Sequence, residues 1–332
     1  LVSTDHEGGW IQRLNGKGYF TAIPTHEAIG VVNELETSYR IGTVYGEELA
    51  PLGIHTPFAP VVDVDTVYNT AISKWRRSFS NDPDQVTKHA LEVSQGMCDT
   101  SVLPTLKHFP GHGGVSGDTH AGFVEIPKTK QELFELDIKP YRELFRSLEC
   151  EPMVMVGHLG VKKSTGSGLP ASLNPTVIQD WLRGELDFKG LVITDGLTMG
   201  AITNNYSRLE AALLAILAGN DILLYSPPPF PPMSTQEQGQ LIDQVCERAM
   251  REDTRGKMLK EKILEAATRI SEKKAQLGLN REPPMDCETV DVMTNADHQA
   301  LHQYIYDQAV AKGWYERRPK TSEDGFPPDS DS

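Results

Sequence analysis

Short apolar runs punctuate the chain, and each closes on a polar or aromatic side chain. They are Leu1-Val-Ser-Thr-Asp5, residues 54–63, residues 102–108, Met153-Val-Met-Val-Gly-His158, Leu191-Val-Ile-Thr-Asp195 and Asp221-Ile-Leu-Leu-Tyr225. Apolar runs without alternation suit strands covered on both faces, as in a parallel sheet. The intervals are long enough for crossover helices, expected over 83–97, 130–148, 175–186 (with Asn174 as N-cap) and 208–218. Strands alternating with helices define an α/β fold.

Asp5, Asp63, His108, His158 and Asp195 each end one of these runs. In a (β/α)8 barrel such strand ends converge on one face, where active sites are built. A doubly wound sheet would gather them at a single crevice instead. The ring-like recurrence favours the (β/α)8 barrel. Six runs leave that barrel short of its first one or two strands, and the opening at Leu1 inside an apolar run reads as a fragment or processed form. Beyond Tyr225, Pro227-Pro-Pro-Phe-Pro-Pro232 reads as a stiff loop, and 237–251 and 256–277 as two helices. The expected organisation is a catalytic unit over 1–280 and a polar linker or tail over 281–332, disordered by composition from 316.

The 332 residues carry 32 Lys+Arg against 46 Asp+Glu, a net charge of −14, which disfavours nucleic acid and anionic lipid partners. No apolar run is long enough for a membrane span. No leader-like start is visible, and targeting information can lie upstream of Leu1; the compartment stays unknown, with a cytoplasmic one favoured. Cys98, Cys150, Cys246 and Cys287 lack Cys-x-x-Cys spacing, so reduced, buried thiols are expected.

The densest chemistry lies in Lys107-His-Phe-Pro-Gly-His-Gly-Gly-Val-Ser-Gly-Asp-Thr-His120. Pro110, Gly111, Gly113 and Gly114 make this a loop leaving a strand. His108, His112 and His120 are candidate ligands of a metal-dependent hydrolase, although the four-residue spacing of the first two pairs imidazoles only on a helix. Asp118 and His120 form a candidate acid/base dyad, the carboxylate orienting the ring. Histidines merely packing a tight turn are the bland reading. Asp195 fits a nucleophile on a rigid strand end and equally an N-cap for the next helix. Asp5 and Arg13 fit donors and acceptors for sugar hydroxyls, Glu7 and Arg13 a surface bridge, and Arg77 a fork-shaped donor.

Together these segments resemble the glycoside hydrolase family 3 β-N-acetylglucosaminidases. The resemblance runs over residues 1–225 and less specifically to 278, through Asp5-His-Glu-Gly-Gly9 with Gln12-Arg13, Phe58-Ala-Pro-Val-Val-Asp63, Arg77-Ser-Phe79, Lys107 to Gly113, Asp118-Thr-His120, His158 and Thr194-Asp195. It implies a retaining exo-glycosidase that releases terminal β-linked N-acetylglucosamine, with Asp195 as nucleophile and His120/Asp118 as acid/base on a mobile loop. It implies that Asp5, Arg13, Arg77, Lys107 and His108 contact the terminal sugar, with His158 near the site. No cofactor or metal is expected, and the glycan is a peptidoglycan- or chitin-derived fragment. An imidazole base lowers the repulsion felt by an incoming anion, which keeps phosphorolysis as an alternative; a non-catalytic sugar-binding unit is another. Trp10 and Gly196 depart from the family pattern, where arginine and a second acid are common.

Overall fold

The computed structural model describes residues 1–14, 20–225, 233–279 and 295–314. Its strands are β1 (Ser3–Thr4), β2 (His6–Gly8), β3 (Ile11–Gln12), β4 (Thr56–Pro57), β5 (Thr105–Phe109), β6 (Val124–Glu125), β7 (Met153–Val156), β8 (Leu159–Gly160) and β9 (Val192–Thr194). The α-helices are α1 (His26–Val32), α2 (Leu35–Leu49), α3 (Pro83–Asp99), α4 (Lys130–Glu135), α5 (Lys139–Ser147), α6 (Lys162–Thr165), α7 (Gly200–Thr203), α8 (Arg208–Ala218), α9 (Thr235–Ala249), α10 (Thr254–Gln276) and α11 (Ala296–Ala311). A π-helix spans Thr176–Glu185.

The six apolar runs lie side by side in chain order. β1 pairs in parallel with β4, and the next links are Thr105 N donating to Ala59 O at 2.7 Å and Val62 N to Lys107 O at 2.8 Å. β5, β7 and β9 form a three-stranded parallel sheet, and Ile193 bridges in parallel to Ile222. The second run joins the ladder only in pieces, because Pro57 and Pro60 have no N–H to give. The parallel α/β arrangement stands; among the described residues the array does not return on itself, and no closed barrel forms.

Strand periodicity explains the unbroken apolar runs. Val154, Val156 and Val192 pack with Leu106 and Phe109 into the large core beneath the helices. Met153, Met155, Leu191 and Ile193 turn to the other face, against Phe58 and Leu103. Both faces are covered, so no polar alternation survives.

Several helices begin where the sequence signals it. Asp82 caps α3 ahead of Pro83, and Thr129 with Glu132 makes a capping box on α4. Two expectations change. The single helix over 130–148 is broken into α4 and α5, because Pro140 lacks an N–H and its ring clashes with the carbonyl four residues back. The helix expected over 175–186 is wound as a π-helix, with Leu186 N reaching Trp181 O at 2.9 Å; Asn174 Oδ1 accepts from Thr176 N at its start.

The cysteine expectation is corrected: Cys98 and Cys150 form a disulfide, their Cα atoms 5.9 Å apart. A sequence separation of 52 residues conceals that the end of α3 lies beside the entry to β7. Cys246 is an exposed free thiol, and Cys287 lies outside the described residues. Within the segment read as a polar tail, α11 packs on α1 and α2 through Leu301, Ile305 and Ala309, spaced four apart. The proline loop, residues 281–294 and the disorder expected from 316 lie outside the described residues. No described helix is long and apolar enough to cross a membrane.

Candidate active site

The strand ends gather a connected set of charges, beginning with Glu7. The β2–β3 hairpin turns at Gly8 and Gly9 and buries the Glu7 side chain. Arg77 grips it as a fork, Nε donating to Oε2 at 2.8 Å and Nη2 to Oε1 at 2.7 Å. Lys107, itself buried, sets Nζ 2.5 Å from Glu7 Oε1 and 3.3 Å from Asp5 Oδ1. Burial alone would raise the Glu7 carboxyl, but Arg77 and Lys107 outweigh it and hold the group far below the usual carboxylate range. The surface bridge expected between Glu7 and Arg13 is therefore absent. Arg13 stands at the exposed rim instead, 3.8 Å from Asp5.

Asp63 organises the start of the loop. His108 N and Nδ1 donate to its carboxylate at 3.2 and 2.8 Å, and His112 N donates at 2.6 Å. Arg77 Nη2 donates to His108 Nε2 at 3.2 Å, which leaves Nδ1 to donate to Asp63. Asp63 is fully buried; burial raises its carboxyl, and His108 together with His112 more than reverses that. Gly111 is required at its position. Its φ is +135°, and an added Cβ would fall 2.6 Å from Cβ of Asp137. Asp137 is the buried residue at the α4–α5 break, held by Lys128 Nζ at 2.6 Å.

Further along the loop, His120 Nδ1 meets Asp118 Oδ1 at 2.7 Å. This bond raises the His120 pKa against the opposing effect of burial, while Asp195 adds a further upward push. Between the two lies Thr119, buried, its hydroxyl 3.1 Å from His112 Nε2. The loop sits on the segment that follows β9: Gly200 N donates to His120 O at 3.1 Å and Ala201 N to Thr119 O at 3.2 Å.

Asp195 follows β9, and its backbone N donates to Val156 O at 2.9 Å. Gly196 N donates to its carboxylate at 2.7 Å. Burial raises the Asp195 carboxyl, but His108, His158, this amide and His120 together hold it at about 2. It is thus ionised throughout the neutral range. His158 is buried with Nε2 donating to Gly196 O at 2.8 Å and Nδ1 at 2.7 Å from Ser172 Oγ. Burial lowers its pKa, and both nitrogens are engaged. It braces the backbone behind Asp195.

The geometry does not favour the metal reading. His108 and His112 meet edge to face with centroids 6.0 Å apart, and Asp63, Arg77 and Thr119 use three of their nitrogens. Among the described residues no group of three or more His, Cys, Asp or Glu is arranged to hold a metal ion. Sequence reasoning reached Asp5, Arg77, Lys107, His108, Asp118, His120 and Asp195, all brought to this region. It missed the central place of Glu7, for which two glycines after a strand-end acid were the available signal. Trp10, the departure at the rim, packs against Trp75 with centroids 6.1 Å apart.

The family described as glycosyl hydrolase family 3 N terminal domain matches residues 1–272. The chain belongs to glycosyl hydrolase family 3. Among its relatives, the β-hexosaminidase LpqI of Mycobacterium tuberculosis is 38% identical over 257 residues, covering 75% of this chain and 62% of that protein. A β-hexosaminidase of Methylococcus capsulatus is 34% identical over 228 residues, covering 68% of this chain and 66% of its own length. The family 3 β-N-acetylglucosaminidase of Paenibacillus sp. superposes with a TM-score of 0.81 at 29% identity, covering 93% of this chain and 56% of that one. The chain therefore spans 56 to 66% of the length of these three relatives. A β-glucoside phosphorylase, 23% identical with a TM-score of 0.77, shares the fold.

Proposed function

We propose that the chain is the catalytic unit of a retaining exo-β-N-acetylhexosaminidase. The observation that carries this reading is an ionised Asp195 within electrostatic reach of His120, an imidazole whose pKa Asp118 raises. Relatives named β-hexosaminidase support the substrate class. In the first step an Asp195 oxygen attacks C1 of the terminal sugar, the bond from C1 to the leaving oxygen breaks, and that oxygen takes the proton from His120 Nε2. In the second, water adds to C1, gives its proton to His120, and Asp195 departs as carboxylate. Asp5, Arg13, Arg77, Lys107 and His108 are assigned to the sugar hydroxyls and acyl group; His158 acts through the Asp195 backbone. The six parallel strand segments are assigned to a (β/α)8 barrel, with the catalytic unit over 1–280 and α11 packed on it from the adjoining stretch.

Hydrolysis of an aryl N-acetyl-β-glucosaminide tests the proposal. Asp195→Ala lowers turnover roughly a thousandfold or more; retention of a tenth of the parent rate would overturn the assignment. Because the acid/base is an imidazole, phosphate also qualifies as an acceptor. Formation of a sugar 1-phosphate in phosphate buffer distinguishes that outcome from hydrolysis.

A further inference from the structure

The two dyad residues flank a side chain with no assigned task. Thr119 is buried, with 1% of its surface exposed, whereas Asp118 and His120 on either side are partly or largely exposed. Its hydroxyl lies 3.1 Å from Nε2 of His112, a ring that is itself 2% exposed. The backbone N–H of His112 donates to Asp63 at 2.6 Å, and its ring packs edge to face on His108 with centroids 6.0 Å apart. The loop thus leaves its root at His112, passes through exposed Ser116, and returns to the same ring at Thr119. On the far side, Thr119 O and His120 O accept from Ala201 N and Gly200 N, just beyond Asp195. Gly200 admits this approach, since an added Cβ would stand 2.8 Å from both His120 O and Ala121 O.

We propose that the Thr119 hydroxyl and the His112 imidazole form a latch that holds the acid/base loop seated over Asp195, making both positioning residues for proton transfer. The inference rests on the hydrolase reading of the site. One fixed ring at the loop root and one seat after the nucleophile strand determine where His120 Nε2 stands. Without the hydroxyl, the tip keeps its seat but loses its tie to the loop root, and the imidazole spends less time aligned with the leaving oxygen. The cost falls on the steps that need His120 and spares the attack by Asp195.

That division gives the test. Thr119→Val keeps the side-chain shape and removes the hydroxyl; Thr119→Ser keeps the hydroxyl. Both are compared with the parent on a dinitrophenyl N-acetyl-β-glucosaminide, whose leaving group needs no proton, and on N,N′-diacetylchitobiose, whose leaving group does. The expected result is a loss of roughly tenfold to a hundredfold on the disaccharide for Thr119→Val. Release of dinitrophenol in the pre-steady-state phase changes less than about twofold, azide accelerates breakdown of the glycosyl-enzyme, and Thr119→Ser restores the parent pattern. Equal rates for parent and Thr119→Val on both substrates, or an equal loss on both, overturns the latch. A parent enzyme inactive on both substrates instead overturns the hydrolase reading itself. If Thr119→Val does not fold by its thermal transition, His112→Phe, which keeps a ring and removes both nitrogens, reads the same bond from its other end with the same outcomes.

Discussion

At the scale of single residues, the site is a set of charges whose neighbours decide what each can do. In the proposed mechanism His120 carries a proton when the leaving oxygen departs, and Asp118 raises its pKa, so activity on unactivated substrates is expected to be lost as pH rises through that raised value. Asp118→Asn removes the hydrogen bond that does most of the raising. The alkaline limb of kcat/KM then moves to lower pH, which a pH–rate profile reads directly; an unmoved limb would exclude Asp118 from the dyad. Glu7 has the opposite linkage. Its carboxyl is depressed in the folded chain, so its contribution is present above the unfolded value of about 4.3 and fades only as pH falls toward the folded one. Glu7→Gln leaves Arg77 and Lys107 facing each other in a buried site, and a loss of about 3–5 kcal/mol at pH 7 is expected from denaturant unfolding. The residue types and spacing of the loop were legible in sequence, but their partners were not. Nothing in the order of residues announces that Asp63 holds both His108 and His112, or that Glu7 faces Arg77 across 70 positions.

At the scale of elements, the strands and most helices were legible because apolar runs, caps and prolines act locally. Pro140 is a local signal too: it breaks a helix that periodicity alone would carry through, and frees Asp137 to support the glycine turn of the loop. The π-helix had no such signal. Helix α11 illustrates the remaining difficulty: its four-residue stripe is short, and its anchor is distant. His298 places Nε2 2.6 Å from Glu47 and Nδ1 3.1 Å from Glu48 on α2, and these hydrogen bonds raise its pKa. A raised folded value means that the stabilisation is complete below the unfolded pKa of about 6.5 and vanishes as pH climbs through the folded one. Parent and His298→Gln therefore differ in denaturant midpoint at pH 5.5 and converge at pH 9. A difference that persists at pH 9 would show that the ion pairs do not hold this helix.

At the scale of the whole molecule, a covalent tie joins the helical layer to the sheet. The Cys98–Cys150 bridge closes 52 residues between the end of α3 and the entry to β7. Chain-entropy reasoning sets its contribution at up to about 4 kcal/mol. Cys98→Ser with Cys150→Ser lowers the thermal midpoint to that of the reduced parent, and a reductant has no further effect on the double variant. The tie also shifts the setting suggested by the sequence, since bridges of this kind persist where the surroundings are oxidising. Family membership and strand order together account for the parallel array, which among the described residues remains an open arc between β1 and Ile222.

The shared anchor at Asp63 has a consequence for binding. It holds the His108 ring, assigned to the sugar in the proposed function, and the backbone of His112 at the loop root, so under that proposal sugar binding and loop seating share one anchor. Coupling of this kind is reciprocal: whatever factor a bound sugar adds to loop seating, a seated loop returns to sugar affinity. Free N-acetylglucosamine should then slow proteolysis at Ser116, and Asp63→Asn should weaken that protection more than it weakens binding of the sugar itself.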